Sequence, residues 1–546
     1  AGIQGIVTPA PAAPGVPEEG RASLGSQPLS GLQQAMSARG ALMGDGVGTI
    51  GYGSGGGGFA GKGRSAFGPA AFTTERYAHA ADNAFHDTQD TPLSTFSIDV
   101  DTAAYANVRR FLREGRLPPT DAVRIEELVN YFAYDYPEPK SDEPLSVTTD
   151  VGAAPWAPEH RLLRIGLKTR AIDSSHAPPN NLVFLIDVSG SMASADKLPL
   201  LKRGLSMLAS NLRPQDRVAI VVYAGSSGLV LPSTRGSQRD EILAALDRLD
   251  AGGSTNGAAG IQLAYRVARE HFVEGGTNRV ILATDGDFNV GTTSEGELVR
   301  LIEDERRSGV FLTVLGFGRG NLNDSGMESL ADHGNGSYAY IDSIAEAHKV
   351  LVREAGSTLV TVAKDVKLQV EWNPVRVARY RLIGFENRLL AARDFNDDKK
   401  DAGELGAGHT MTALYEIVPH TANMRAEVDP LKYQAQTPSV AATSDELMTL
   451  KIRYKQPSDD ASRLVTQTIR DAEARAEPAT DTRWAAAVAC FGMVLRGSEH
   501  KGNASVERCA GLARGAVGAD KTGQRHELVA LMEQAKQLGL GATPAL

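Results

Sequence analysis

The sequence predicts an α/β protein in which a doubly wound, mostly parallel sheet is inserted into a β-sandwich, with small helical modules on the N- and C-terminal sides. Three observations predict it. Apolar runs at Leu182–Ile186, Val218–Tyr223, Val280–Ala283 and Val310–Phe317 alternate with amphipathic helical text, the sign of parallel strands covered on both faces. On either side of that region, residues alternate apolar and polar like half-buried strands. These are Leu145–Val151 and Leu162–Leu167 before it, and Val366–Trp372, Tyr380–Gly384, Met411–Val418 and Leu447–Tyr454 after it. Beyond Pro457 the period turns helical, with Trp484, Val488, Phe491 and Leu495 on one face.

Taken in order, residues 1–91 show little hydrophobic periodicity and Gly44–Gly63 is nearly a glycine tract, so a disordered Gly/Pro/Ala-rich tether is expected there. Within it, Gly56 to Gly61 followed by Lys62 imitates a phosphate-binding loop. Gly63 stands where that loop needs Ser or Thr, and poly-glycine precedes it instead of a strand, so the reading is rejected. Residues 92–140 read as a small α/β module: Phe96–Asp101 alternates like a strand, and Tyr105–Arg113 and Ile125–Phe132 read as short helices. Its Asp99 and Asp101 are expected to face solvent or cap the next helix, since no His or second carboxylate is visibly partnered with them.

Residues 141–178 form the first part of the sandwich, with Pro155 and Trp156 between its strands, and 360–457 the second. Between them lies the inserted domain, 179–359. Its first helix carries Leu198, Leu201, Leu205, Leu208 and Leu212 at alternating steps of three and four. The last segment, 458–546, reads as a helical module with a second helix over His526–Leu538.

A chain of 546 residues is too long for one ordinary core, and its 42% hydrophobic and 23% charged residues are those of globular domains. A net charge of −9, with no concentrated basic surface, argues against nucleic acid as a partner. An acidic whole does not exclude acidic partners, because a bound cation inverts the local sign. No apolar run approaches the roughly 18 residues that span a bilayer. The start at Ala1, in text rich in Ala, Pro and Gly, suits a removed targeting segment, with a possible membrane tether through it.

Two cysteines, Cys490 and Cys509, lie near the C-terminal end, with no zinc-like Cys/His grouping anywhere. A bridge would close a loop of about 20 residues, be worth roughly 3 kcal/mol, and fit an oxidising compartment. Two buried thiols on neighbouring helices account for them equally well.

In an open α/β sheet, ligands bind beyond the carboxyl ends of the strands, near the switch point. Three pieces of the chain end there: Asp187-Val188-Ser189-Gly190-Ser191, Thr284-Asp285-Gly286-Asp287, and the loop Gly252-Gly253-Ser254-Thr255-Asn256-Gly257. Together they offer carboxylates and hydroxyls, hard oxygen donors that select magnesium, manganese or calcium over zinc or copper. Gly190 lets the backbone turn so that Asp and both Ser point at one spot. Two carboxylates cancel a dication while hydroxyls add no charge, so the ion remains open to one more anionic oxygen. An Asp, a Glu or a C-terminal carboxylate of a protein partner would supply it.

At these residues the sequence resembles the von Willebrand factor type A (VWA) family, a Rossmann-like fold. Its metal-ion-dependent adhesion site (MIDAS) combines a D-x-S-x-S strand end, a Thr in a later loop and an Asp after the fourth strand. Asp187, Ser189, Ser191, Thr255 and Asp285 fill all five positions. The resemblance implies that the Ser and Thr hydroxyls contact the ion and the Asp residues act directly or through water. Flanking text is similar to a bacterial subgroup, the YfbK-like family: Phe96-Ser97-Ile98-Asp99-Val100-Asp101-Thr102, Thr284-Asp285-Gly286-Asp287-Phe288-Asn289-Val290-Gly291 and Arg483-Trp484-Ala485-Ala486-Ala487-Val488. That subgroup implies a cell-envelope location, periplasm or cell surface, and transfers no settled activity.

The expected function is thus a metal-dependent protein-binding or adhesion module, not an enzyme. In a degenerate site the same Asp and Ser would merely cap helices. Aspartyl phosphoryl transfer needs an acid two residues after its nucleophile, where Ser189 stands instead. Val188-Ser189-Gly190-Ser191 lacks the leading Gly of a serine-hydrolase elbow, and H-E-x-x-H is absent. Asp394-Phe395-Asn396-Asp397-Asp398 opens like a calcium loop, but Lys399 replaces the turn Gly and Leu405 the closing Glu, so a solvated acidic loop is expected. The other functional class is a scaffold or assembly factor of an envelope complex, whose C-terminal helices make the contacts.

Overall fold

The computed structural model describes residues 74–79, 81–98, 101–140, 143–173, 177–253, 257–286, 295–355, 359–420, 439–457, 459, 461–471 and 477–540. A five-stranded antiparallel sheet runs in the order β1 (His86–Asp87), β12 (Val377–Ile383), β14 (Thr410–Pro419), β4 (Ala157–Thr169), β3 (Leu145–Ala154). A second contains β13 (Leu405–Gly406), β11 (Thr361–Trp372), β15 (Glu446–Lys455) and β16 (Arg463–Arg470), with β2 (Leu93–Ser97) paired to β11. The inner faces share one core, in which Leu163, Ile165 and Leu167 and then Ala413, Tyr415 and Ile417 of the first sheet meet Phe96, Leu368, Val370, Leu450 and Ile452 of the second. The period-2 spacing of these residues is what puts them on one face of each strand. Strands β3 and β4 precede the central sheet in sequence and their partners follow it, so the sandwich closes across an insertion.

The inserted sheet has the order β10 (Tyr338–Ile341), β9 (Phe311–Phe317), β8 (Thr277–Thr284), β5 (Asn180–Asp187), β6 (Arg217–Tyr223), β7 (Ser227–Arg235). All neighbours are parallel except β7, which returns antiparallel to β6. Alternate residues serve opposite faces. Leu182, Phe184 and Ile186 pack beneath α3 (Leu198–Asn211), α4 (Arg239–Asp247) and α8 (Ile344–His348). Val183 and Leu185 pack beneath α5 (Gly257–Glu270), α6 (Glu295–Arg307) and α7 (Asp324–His333). Chain order reverses at β5, between β6 and β8, which makes its carboxyl end the switch point.

A helical layer covers the outer face of the first sheet. α1 (Ala103–Arg113), α2 (Ile125–Asn130), α9 (Thr480–Arg496), α10 (Val506–Arg514) and α11 (Gln524–Gln537) form one core with Trp156, Leu162, Ile383 and Leu414. Cys490 and Cys509 are bridged, joining α9 to α10. No helix among the described residues is long and apolar enough to cross a membrane.

Four expectations change. The tether expected over 1–91 is ordered from 74 onward where described: Thr74 and Arg76 N–H donate to Gly320 and Leu322 O, the Asn83 amide to Leu382 and Gly384 O, and β1 pairs with β12. These ties run through polar groups, which leave no hydrophobic period to read; residues 1–73 lie outside the described residues. The segment 92–140 does not stand by itself, since β2 joins the second sheet and α1 and α2 pack with the C-terminal helices. Too few residues are present there to bury a separate core. The helical reading after Pro457 fails at its first piece. Val465, Thr466, Thr468 and Ile469 are β-branched, and Arg463–Arg470 is an edge strand on β15. Asp101 is buried instead of facing solvent, its Oδ1 accepting from Tyr338 N–H, and Asp99 lies outside the described residues.

Candidate metal centre

Ile186 of β5 pairs with Ala283 of β8, which sets Asp187 beside Thr284 and Asp285 at the sheet's carboxyl rim. Both carboxylates are fully buried. Asp187 Oδ1 accepts from Ser189 N–H at 2.8 Å, and its Oδ2 from Tyr223 OH at 3.3 Å and Thr284 Oγ1 at 3.4 Å. Ser189 is extended (φ −62°, ψ 163°) and leads into a 3₁₀ turn over Gly190–Ala193, which folds Ser191 back until the two hydroxyl oxygens lie 3.0 Å apart. Ser189 is buried and Ser191 exposed, so the group opens to solvent on one side. The glycine loop docks on this turn: Gly252 N–H donates to Val188 O at 2.7 Å and Gly190 N–H to Gly253 O at 3.1 Å.

The structure thus brings Asp187, Ser189, Ser191 and Asp285 to one rim. Thr255 lies outside the described residues, as does Asp287, although the stretch just before Thr255 is held against the site. Gly286 (φ +104°) is required where the chain leaves Asp285, because a Cβ there would meet Asn323 N at 2.4 Å.

The two carboxylates differ electrostatically. Burial pushes Asp187 above the ordinary carboxylate range, with the charge of Asp285 adding to it, against the lowering effect of its hydrogen bonds with Ser189 and Tyr223. Its hydrogen-bond partners are all neutral donors. Burial raises Asp285 too, but bonds from Lys197, Ser191 and Asn321 outweigh it and hold the group below its usual value. Lys197 Nζ lies 2.8 Å from Asp285 Oδ2 and 3.1 Å from Asn321 Oδ1. A buried carboxylate with only neutral partners is costly, and a cation beside it would offset that cost. The oxygen-only donor set fits a hard divalent ion.

Sequence reasoning missed Lys197, Tyr223 and Asn321. A signal for Lys197 existed: it is the N-cap of α3, an end where the helix dipole disfavours positive charge unless something nearby compensates.

Elsewhere among the described residues, one His/Cys/Asp/Glu grouping stands close enough to share an ion: Asp365, Asp401 and Glu404. Lys455 pairs with Asp365 at 2.7 Å and Arg306 with Asp401 at 2.5 Å, while burial and the neighbouring Asp401 and Asp365 push Glu404 well above the ordinary carboxylate range. In the loop that imitates a calcium site, Lys367 Nζ donates to Asp397 O at 2.5 Å and Asp394 O at 3.4 Å, putting an ammonium on its carbonyls.

Comparison with known proteins matches 181–353 to the von Willebrand factor type A domain, 71–164 to a model described as von Willebrand factor, and 357–538 to the C-terminal region of the uncharacterized protein YfbK. YfbK of Escherichia coli K12 is 45% identical over 476 residues, 85% of this chain and 81% of that protein. Human inter-alpha-trypsin inhibitor heavy chain H3 is 30% identical over 260 residues, 44% of this chain and 28% of that one. Among solved structures, a von Willebrand factor type A protein from Catenulispora acidiphila aligns with 74% of this chain and 97% of its own at 16% identity and a TM-score of 0.41. VWA domains commonly mediate protein–protein interaction and often bind a divalent metal. The chain belongs to the YfbK family of von Willebrand factor type A domain proteins.

Proposed function

We propose that this protein is a metal-dependent binding module of the bacterial cell envelope. It holds Mg²⁺, or Mn²⁺ or Ca²⁺ in its place, through Asp187, Ser189, Ser191, Thr255 and Asp285. The ion coordinates an acidic group of a protein partner, an Asp or Glu side chain or a C-terminal carboxylate. The observation that carries the reading is Asp187: a fully buried carboxylate, answered only by neutral donors, beside two hydroxyls 3.0 Å apart at an open rim. The hydroxyls orient the ion without neutralising it, which leaves it a preference for an anionic ligand. Binding and not catalysis is the role assigned to these oxygens. The Cys490–Cys509 bridge supports an oxidising, extracytoplasmic setting, reached from an anchor through the N-terminal glycine tract.

The test is affinity capture from envelope extracts on the purified protein with Mg²⁺ or Mn²⁺, repeated with chelator. Asp187→Ala with Ser189→Ala should abolish the metal-dependent capture while the protein stays folded by circular dichroism. Capture that survives both chelator and the double substitution would refute the reading.

A further inference from the structure

Lys197 is held as carefully as the residues assigned to the ion. Its ammonium bridges Asp285 Oδ2 and Asn321 Oδ1, and its side chain is 8% exposed. Its stem lies in a slot over Gly318 (φ +72°), where a Cβ would come within 2.2 Å of Cε and 2.5 Å of Cγ. Tyr340 OH donates to Gly318 O at 2.6 Å and secures that turn. Asp285 therefore already serves one cation before any metal arrives.

The charges then decide the behaviour. Asp187, Asp285 and Lys197 together carry one negative charge; with a dication the site carries one positive charge, and without the lysine it would be neutral. The ammonium and the ion compete for the same carboxylate and repel one another at short range in a buried setting, where screening by salt is weak. A carboxylate from outside brings the loaded site back to neutrality.

We propose that Lys197 couples metal retention to partner binding: it weakens uptake of the ion alone and makes ion and partner carboxylate bind cooperatively. This rests on the assignment of the rim as a metal centre. By linkage, whatever the carboxylate adds to metal affinity the metal adds to carboxylate affinity. Lys197 is thus a residue that sets the site's charge, not a ligand.

The experiment titrates Mn²⁺ into the purified full chain by calorimetry, with and without saturating acetate as the carboxylate probe, for wild type, Lys197→Gln and Lys197→Met. Gln keeps a donor and most of the stem but removes the charge, which separates charge from packing; melting curves check that each variant folds. For wild type, Mn²⁺ affinity should rise with acetate. For both variants, Mn²⁺ alone should bind about tenfold more tightly, one unit of opposing charge having been removed, and the acetate enhancement should shrink. Folded variants that titrate like wild type, with and without acetate, overturn the inference and leave the metal centre standing. A wild-type chain that takes up no Mn²⁺ overturns both.

Discussion

Arg109 Nη2 of α1 lies 2.7 Å from Glu346 Oε2 of α8, in a pair whose side chains are 4% and 1% exposed. Tyr131 OH donates to the same Glu346 oxygen at 2.7 Å, and Arg109 Nε to Asp342 Oδ2 at 2.7 Å. The last helix of the inserted domain is thereby tied to the helical layer on the sandwich. A second tie links Arg124, the N-cap of α2, to Asp324 of α7 at 2.5 Å.

Removing one partner of such a pair leaves a buried charge unanswered. Arg109→Leu should lower stability by about 3–5 kcal/mol, read from the urea midpoint at neutral pH. Burial alone would raise Glu346, but Lys349, Arg109 and Tyr131 outweigh it and hold it below the ordinary range. A depressed carboxylate contributes stability above its unfolded value, and that contribution is lost as pH falls through the folded one. The acid limb below about pH 4.5 should therefore flatten in the variant. A midpoint within 1 kcal/mol of wild type would contradict the tie.

His409 tests a different window. It lines a cavity of about 180 Å³ with Arg279 and Glu404, and burial pushes its imidazole down to about 4. Between its unfolded value near 6.5 and about 4, the unfolded chain binds a proton that the folded chain refuses, so stability falls as pH drops through that range and levels below it. His409→Gln should remove this slope, on the order of 3 kcal/mol between pH 7 and 4. An unchanged slope in denaturant melts would show that His409 is not its source.

Reduction addresses the helical layer. The Cys490–Cys509 bridge spans a sequence separation of 19 and staples α9 to α10. Breaking it, by reductant or by Cys509→Ser, should cost about 3 kcal/mol, visible as an earlier thermal transition. Identical melts with and without reductant would argue that the bridge does not form in solution.

The proposed ion should also stabilise what it binds. At about a hundred times its dissociation constant, Mg²⁺ or Mn²⁺ should add about 2.7 kcal/mol to the wild type and nothing to Ser189→Ala, measured as a shift in melting temperature. An equal shift in both would place the ion elsewhere.

Much of the architecture is legible in the sequence because burial imposes a period. Leu182, Phe184 and Ile186 face one layer of helices while Val183 and Leu185 face the other, so an unbroken apolar run marks a central parallel strand. In the sandwich, Leu450 and Ile452 alternate because only one face is covered. The edges escape such reading. β1 and β16 have one neighbour each and bury little, so β-branched residues and polar ties to distant carbonyls determine them.

For the candidate site, Asp187, Ser189 and Ser191 can be picked out because they follow a strand end at a spacing that one short turn gathers. Asp285 can be named because its strand must run parallel to theirs. What the chain order alone determined was therefore which faces are apolar and which oxygens stand at strand ends, since both follow from local spacing. Tertiary structure alone decided that Lys197 reaches Asp285, that Arg109 meets Glu346 and that the two cysteines bridge. Charge and sulfur chemistry act through space over a few ångströms, and 88 residues of chain separate Lys197 from Asp285.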